Sequence, residues 1–202
     1  MVFDVLIIGG GAAGMQCALV LGSAYNKEYA HNKNIGIIIH QKASDLQSAL
    51  FNNALGVFPG TTGKEILESG KKQLSDLYPH VNQIEKEKVF GIKGSSGDFI
   101  VTTNKETYKT KLVVVALGYS KFFDIEGLNE FIKPHPKAQV AKERIWLVNT
   151  DHLVKDGIYV AGTLAGWRSQ FAIAAGSGAQ VATDILTVWN NGMHTKVHDK
   201  IN

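Results

Sequence analysis

The sequence predicts an α/β fold in which a parallel sheet, covered by helices, carries a β-meander as an annex. Three observations support it. The nearly all-apolar run Phe3–Ile8 breaks into the glycines at 9–11 and resumes as small and aliphatic residues. A second apolar run, "IGIIIH", follows once the polar stretch "NKEYAHNKN" has passed. Further on, "VFGIK", "DFIVTTN" and "TYKTKLVVVALG" stand close together, separated only by "GSSG" and "KE".

Uninterrupted apolar strands belong to parallel sheets buried on both faces, so Phe3–Ile8 reads as a central first strand. Ala12 to about Tyr25 then fits a buried helix, and "IGIIIH" closes a βαβ unit. In "FPGTTGKEILESGKKQLSDLY", Thr62 with Glu65 three residues later reads as a capping box, and Ile66, Leu67, Leu74 and Leu77 form one stripe of an amphipathic helix. The three mid-chain runs read as an antiparallel meander whose last strand returns into the sheet. Between Leu128 and Gly157 lie 28 residues, with "KPHPK" as punctuation and "IWLVNT" as a strand. That is far short of the roughly 100 residues a second nucleotide-binding domain needs, so residues 1–202 read as a single domain. The strand "GIYVAG", the turn "TLAGWRSQ" and a helix from about Phe171 to Trp189 follow. "NNG" ends that helix, and the last ten residues are expected to fray.

Composition narrows the function. With 45% hydrophobic and 19% charged residues, the chain is an ordinary globular protein. A net charge of +3, without basic runs interleaved with aromatics, gives no nucleic-acid partner. Cys17 is the single cysteine, so an intrachain disulfide, a CxxC pair and a thiolate metal cluster are excluded within these 202 residues. Its place among Ala18 and Leu19 reads as that of a buried, inert thiol. His135 lies between two prolines in a loop, His194 and His198 lack a ligand pattern, and no metal is assigned. The uncharged stretch from Val5 to Asn26 superficially resembles a signal peptide or a membrane span. Against this, only Asp4 precedes it, and its glycines each cost a helix roughly 1 kcal/mol relative to alanine. The expectation is a cytoplasmic protein without a membrane segment.

The motif that carries chemistry is G-x-G-x-x-G at Gly9, Gly11 and Gly14, directly after a strand and opening a helix. Gly9 suits the tight turn, Gly11 lets backbone approach a pyrophosphate, and Gly14 lets helix pack on strand, which makes the sheet Rossmann-like. The helix N-terminus adds N–H donors and about half a positive charge. An acidic residue usually ends the second strand and accepts from ribose hydroxyls; here His40 or Gln41 stands there. An imidazole or amide can still bond a hydroxyl, and this position does not separate NAD, NADP and FAD.

"DVLIIGGGAAG", "GVFPGTTGKEILESGKKQLSDLY", the meander through "TYKTKLVVVALGYSKFFDIEGL", and "DGIYVAGTLAGWRSQFAIAAGSGAQVATDIL" occur in the order seen in thioredoxin reductase-like flavoproteins. Over most of its length the chain resembles the FAD-binding domain of that pyridine nucleotide-disulfide oxidoreductase group. The resemblance implies FAD as cofactor, with Gly9, Gly11, Ala12, Ala13, Gly14 and Gly118 along its first half. It places Gly162, Thr163, Arg168, Ser169, Gln170 and Phe171 at the ribityl chain and ring. The last helix, starting near Ser169, would aim its positive end at the flavin edge where negative charge develops on reduction. Arg168 either reinforces that field or is a solvated loop cation, and Trp167 either covers the ring or caps the core.

Departures from the family are equally informative. Its central NAD(P)H domain, bearing the CxxC in thioredoxin reductases proper, would fall between about 129 and 156 and is absent there. Thr163 stands where the family has aspartate, exchanging a charge-assisted hydrogen bond for a neutral one. Leu117 replaces the threonine of "ATG", and Val57 stands where an asparagine often precedes the "PG" turn. The resulting expectation is a minimal FAD-dependent oxidoreductase, without a dithiol, fed by NAD(P)H or an electron-transfer partner protein, and a homodimer. Its catalytic residues are unassigned. Two alternatives stay open: a non-catalytic nucleotide-binding regulatory module, and a small dehydrogenase with NAD in the single site.

Overall fold

In the computed structural model, which describes residues 2–40 and 44–198, the first βαβ unit forms where the apolar runs place it. Strand β1 is Val2–Ile8, helix α1 is Ala12–Ser23 and β2 is Ile35–Ile39. A short pair, β3 (Leu50–Phe51) and β4 (Thr61–Thr62), leads into α2, Gly63–Leu77. Strand β5 (Asn82–Glu85) precedes the meander β6 (Val89–Ser95), β7 (Asp98–Thr103) and β8 (Thr107–Val115). After it come β9 (Ile132–Pro134), β10 (Ile145–Leu147), β11 (Leu153–Lys155), β12 (Ile158–Val160) and α3, Phe171–Trp189.

The main sheet runs β11-β12-β8-β1-β2-β5. All its neighbours are parallel except β11 with β12. Strand β8 joins annex to core because it is long enough to serve both. One edge pairs with β1 along most of its length, while the other pairs with β7 over 107–110 and with β12 over 113–115. The two-residue period of β1 divides its side chains between two cores. Val5 and Ile7 face α1 and α3, whereas Leu6 and Ile8 face the meander and the segment after it; Phe3 joins that second core out of step with the alternation, just before the Asp4 and Val5 amides both donate to the Asn34 carbonyl, at 2.8 and 3.5 Å. Each fully buried Ile or Leu in these layers contributes about 1.5–3 kcal/mol of transfer free energy.

The capping box forms as predicted: Thr62 Oγ1 accepts from the Glu65 amide at 3.2 Å, and the Thr62 amide donates to Glu65 Oε2 at 2.7 Å. Along α2 the buried stripe is Leu67, Gly70 and Leu74, but Leu77 points outward at 58% exposure. Tyr78 takes the inward place instead, packed on the core where Gly22 of α1 leaves room for its ring. The strand expected over "IWLVNT" stops at Leu147, where the chain turns to reach β11; Asp151 and His152 sit there at φ 46° and 71°. Of the last ten residues, expected to fray, those described reach His198, and part of that stretch is packed. Thr195 is buried and its hydroxyl meets Thr187 Oγ1 at 3.1 Å and the Thr183 carbonyl at 3.3 Å, while Val197 packs on the core. Strands β5 and β3–β4 escaped the sequence reading because "NQIE" is a half-exposed edge strand and the pair is only two residues a side.

By length and apolarity alone α3 could cross a membrane. Within this fold Val181, Ala182, Ile185 and Leu186 are buried in the core against α1.

Candidate functional site

The site grows from the turn between β1 and α1. Gly9 has φ 118°, a left-handed value, and a Cβ there would lie 2.4 Å from the Ala116 carbonyl oxygen. Its amide donates to the Ile38 carbonyl at 2.9 Å, locking the turn to the neighbouring strand. A Cβ on Gly14 would lie 1.8 Å from the Gly9 carbonyl oxygen, so the helix start rests directly on the turn. Gly11 differs, because a Cβ there would meet nothing within 4 Å. It is the N-cap of α1 and offers no side-chain cap, and the first helical bond is Met15 N–H to its carbonyl at 2.9 Å. Helix-start N–H groups uncapped by side chains, beside open space and without an acid in the first turn, suit an anion.

Two clefts meet over this turn. The first, about 320 Å³, runs from Gly11, Ala12 and Ala13 across Gly118 to Gly162 and Thr163, and ends at Ser169, Gln170 and Phe171. The second, about 220 Å³, runs from Gly9 and Gly11 past Ile38 to His40. Ser44, Ala116, Leu117 and Gly118 line both. One elongated hollow therefore crosses an anion-competent helix start, the shape a dinucleotide needs when its diphosphate lies at the middle. The residues present fit such a group: at Gly11 and Gly118, which line both clefts, the missing side chain leaves space, while a Cβ on Gly9 or Gly14 would meet backbone.

Of the residues singled out from sequence, most line this hollow. Gly14 lies beneath it as a packing contact, Arg168 is exposed and lines neither cleft, and Gln41 lies outside the described residues. His40 is exposed just beyond β2. Phe171 packs on Phe51 of β3 with ring centroids 5.0 Å apart, closing the end of the first cleft beside the uncapped start of α3. Trp167 is exposed with Lys137 Nζ 4.3 Å above its ring, and lines neither cleft.

Sequence reasoning missed the supports of the turn at 162–165. The Gly162 amide donates to Ser177 Oγ at 2.8 Å. His135, in the loop its prolines predict but buried, accepts the Lys137 amide on Nδ1 at 3.1 Å, which leaves Nε2 to donate to the Thr163 carbonyl at 3.1 Å. Asn149 Nδ2 donates to the Leu147 and Ala165 carbonyls at 2.7 and 3.2 Å. The segment between 129 and 156 thus fastens one wall of the hollow. Only contact over long sequence separation could reveal this. Ser177→Ala would leave the buried Gly162 amide without its acceptor, at a cost of about 1–3 kcal/mol. The expected result is a fall in melting temperature of roughly 2–10 °C, measurable by calorimetry.

Burial pushes the Cys17 thiol far above its ordinary range, so it stays protonated and unreactive in α1. A thiol-reactive chromogenic disulfide should label it only after denaturation, and rapid labelling of the native protein would contradict its place in the core. Among the described residues no group of three His, Cys, Asp or Glu side chains is placed to hold a metal ion.

The pyridine nucleotide-disulphide oxidoreductase family profile matches residues 3–146. The chain is 25% identical over 194 residues to a ferredoxin–NADP reductase of Streptococcus equi subsp. zooepidemicus (84% of this chain, 56% of that protein). It is 30% identical over 128 residues to a ferredoxin–NADP reductase of Streptococcus thermophilus LMD-9 (60% and 36%). It therefore spans about half the length of the first of these relatives and about a third of the second. Among solved structures it resembles a thioredoxin reductase from Gloeobacter violaceus, with TM-score 0.72 at 14% identity over 100% of this chain and 99% of that one. It also resembles a ferredoxin-flavin thioredoxin reductase from Clostridium acetobutylicum, with TM-score 0.68 at 17% identity over 94% and 99%. At these identities the structural likeness shows the fold.

Proposed function

The chain belongs to the pyridine nucleotide-disulphide oxidoreductase family, and from that premise we propose that it binds FAD and serves as an FAD-dependent oxidoreductase. One observation carries the reading: two clefts joined across the Gly11 helix start, with the uncapped start of α3 at the far end of one. When bound, FAD supplies the electron chemistry, accepting and passing on a hydride or single electrons.

The chain's own residues bind and orient. The first-turn amides of α1 receive the diphosphate, and Gly118, Gly162 and Thr163 border the path toward the ring. Gln170 and Phe171 bring the start of α3 to the cleft, where its partial positive charge favours the negative charge that reduction brings. With one cysteine in these 202 residues, reduction of a partner disulfide by a dithiol of this chain is not part of the proposal. Electrons would come from NAD(P)H at an exposed face of the cofactor or from a partner protein. The reading also includes a cytoplasmic homodimer, supported by the family resemblance and by Ile173 and Val188, large apolar residues exposed on α3.

The test is reconstitution: protein incubated with FAD and desalted should be yellow, and heat should release a compound with the mass of FAD. Protein that stays colourless would overturn the proposal. Thr163, in place of a carboxylate, favours a second reading, a nucleotide-binding regulatory module without turnover. Bound flavin that neither bleaches with donors under anaerobic conditions nor reoxidises in air would select it.

A further inference from the structure

The end of β2 carries no carboxylate among the described residues, since Ile39 is followed by His40. The neighbouring strand β5 pairs with β2 in parallel, Ile39 opposite Glu85, and the Lys86 amide donates to the Ile39 carbonyl at 2.9 Å. Glu85 is occupied by Lys71 Nζ at 3.1 Å. Two residues on, Glu87 is 7% exposed and lines the second cleft together with Gly9, Gly11 and His40. Its carboxylate is half satisfied: Thr103 Oγ1 donates to Oε2 at 2.6 Å and the Tyr108 hydroxyl donates to the same oxygen at 3.0 Å. Burial and the adjacent Glu87 push the Tyr108 phenol up to about 12, so it keeps the proton it donates. Oε1 has no partner among the described residues, yet is not sealed from solvent, and no Lys or Arg there pairs with Glu87. A buried carboxylate pinned through one oxygen by two neutral donors is costly as mere packing, and its second oxygen calls for a partner.

We propose that Glu87 supplies from β5 the carboxylate that β2 lacks, accepting through Oε1 the ribose hydroxyls of the adenosine half of FAD. The proposal rests on the FAD reading above. Thr103 and Tyr108 fix the carboxylate's rotamer in advance, so little side-chain freedom is lost on binding. The anion makes each hydroxyl bond roughly twice as strong as a neutral acceptor would.

Titration of the apoprotein with FAD, and with an FAD analogue whose adenosine is 2′,3′-dideoxy, followed by flavin fluorescence, tests it. Wild-type protein should prefer FAD by at least about tenfold. Glu87→Gln keeps an oxygen for Thr103 and Tyr108 but turns a neutral amide donor toward the hydroxyls in place of the anion, and should cut that preference several-fold while leaving affinity for the analogue unchanged. His40→Ala should keep the preference. A preference undiminished in Glu87→Gln, or one that vanishes in His40→Ala alone, would overturn the proposal, as would wild-type protein that binds both flavins equally. If Glu87→Gln does not fold, Glu87→Asp, which keeps the charge but withdraws the oxygen by one methylene, should reduce the preference several-fold, and an unchanged preference would count against Glu87. Wild-type protein that binds neither flavin would instead remove the FAD reading itself, and with it the role of Glu87.

Discussion

Gly14→Ala is expected to cost more than about 4 kcal/mol of stability, enough to leave the chain largely insoluble or unfolded. The added Cβ would lie 1.8 Å from the Gly9 carbonyl oxygen and 3.2 Å from Ala116 Cβ. Neither can retreat. Gly9 is hydrogen-bonded to β2 through its amide, and Ala116 to β1 through its own amide, which donates to the Ile8 carbonyl at 2.8 Å. Helix α1 cannot move away as a unit either, because α3 crosses it so closely that a Cβ on Gly178 would be 1.9 Å from the Ala13 carbonyl oxygen. Overpacking between fixed backbones has no soft direction in which to relax. Expression level and a urea melt would measure the effect, and a soluble variant with a near wild-type midpoint would show that this contact yields.

Gly11→Val should do the opposite, sparing the fold while removing the cofactor. Its backbone, at φ −81° and ψ −169°, is ordinary extended chain that any residue adopts, and nothing lies within 4 Å of the Cβ position. The stability change should therefore stay within about 1 kcal/mol, the cost of a poorer N-cap residue. The side chain would project over the helix start, into space a diphosphate must occupy. FAD affinity should fall by at least about tenfold, 1.4 kcal/mol, in a fluorescence titration with the melting curve as control. Unchanged affinity would place the diphosphate elsewhere. The two variants, three residues apart, separate a glycine needed for packing from one needed for ligand space.

Much of this was legible in the residues themselves. The apolar blocks Phe3–Ile8 and "IGIIIH" mark strands buried on both faces, because water tolerates no such run at a surface. The G-x-G-x-x-G spacing marks the turn, and the Thr62–Glu65 box marks a helix start through bonds spanning three residues. Each is a local signal, complete within a few neighbours. Gly11 sits at a helix start that this spacing locates, whereas Ser169 through Phe171, which line the first cleft, were singled out only through the family resemblance.

What patterning could not reach depends on residues distant in sequence. Leu77 and Tyr78 compete for one inward position, and the gap at Gly22 on another helix decides between them. His135 reads as an ordinary loop residue and Asn149 as part of a strand until the turn at 162–165 folds against them. Glu87 looks like one more charge in "EKEK" until Thr103 and Tyr108 close over one of its oxygens and β5 sets it beside the end of β2. Periodicity and turn chemistry, which act over a few residues, thus determined the buried strands, the helices and the glycine turn. The side chains that support and complete the hollow were decided only when folding brought together segments far apart in sequence, since hydrogen-bond partnership is a property of space rather than of order along the chain.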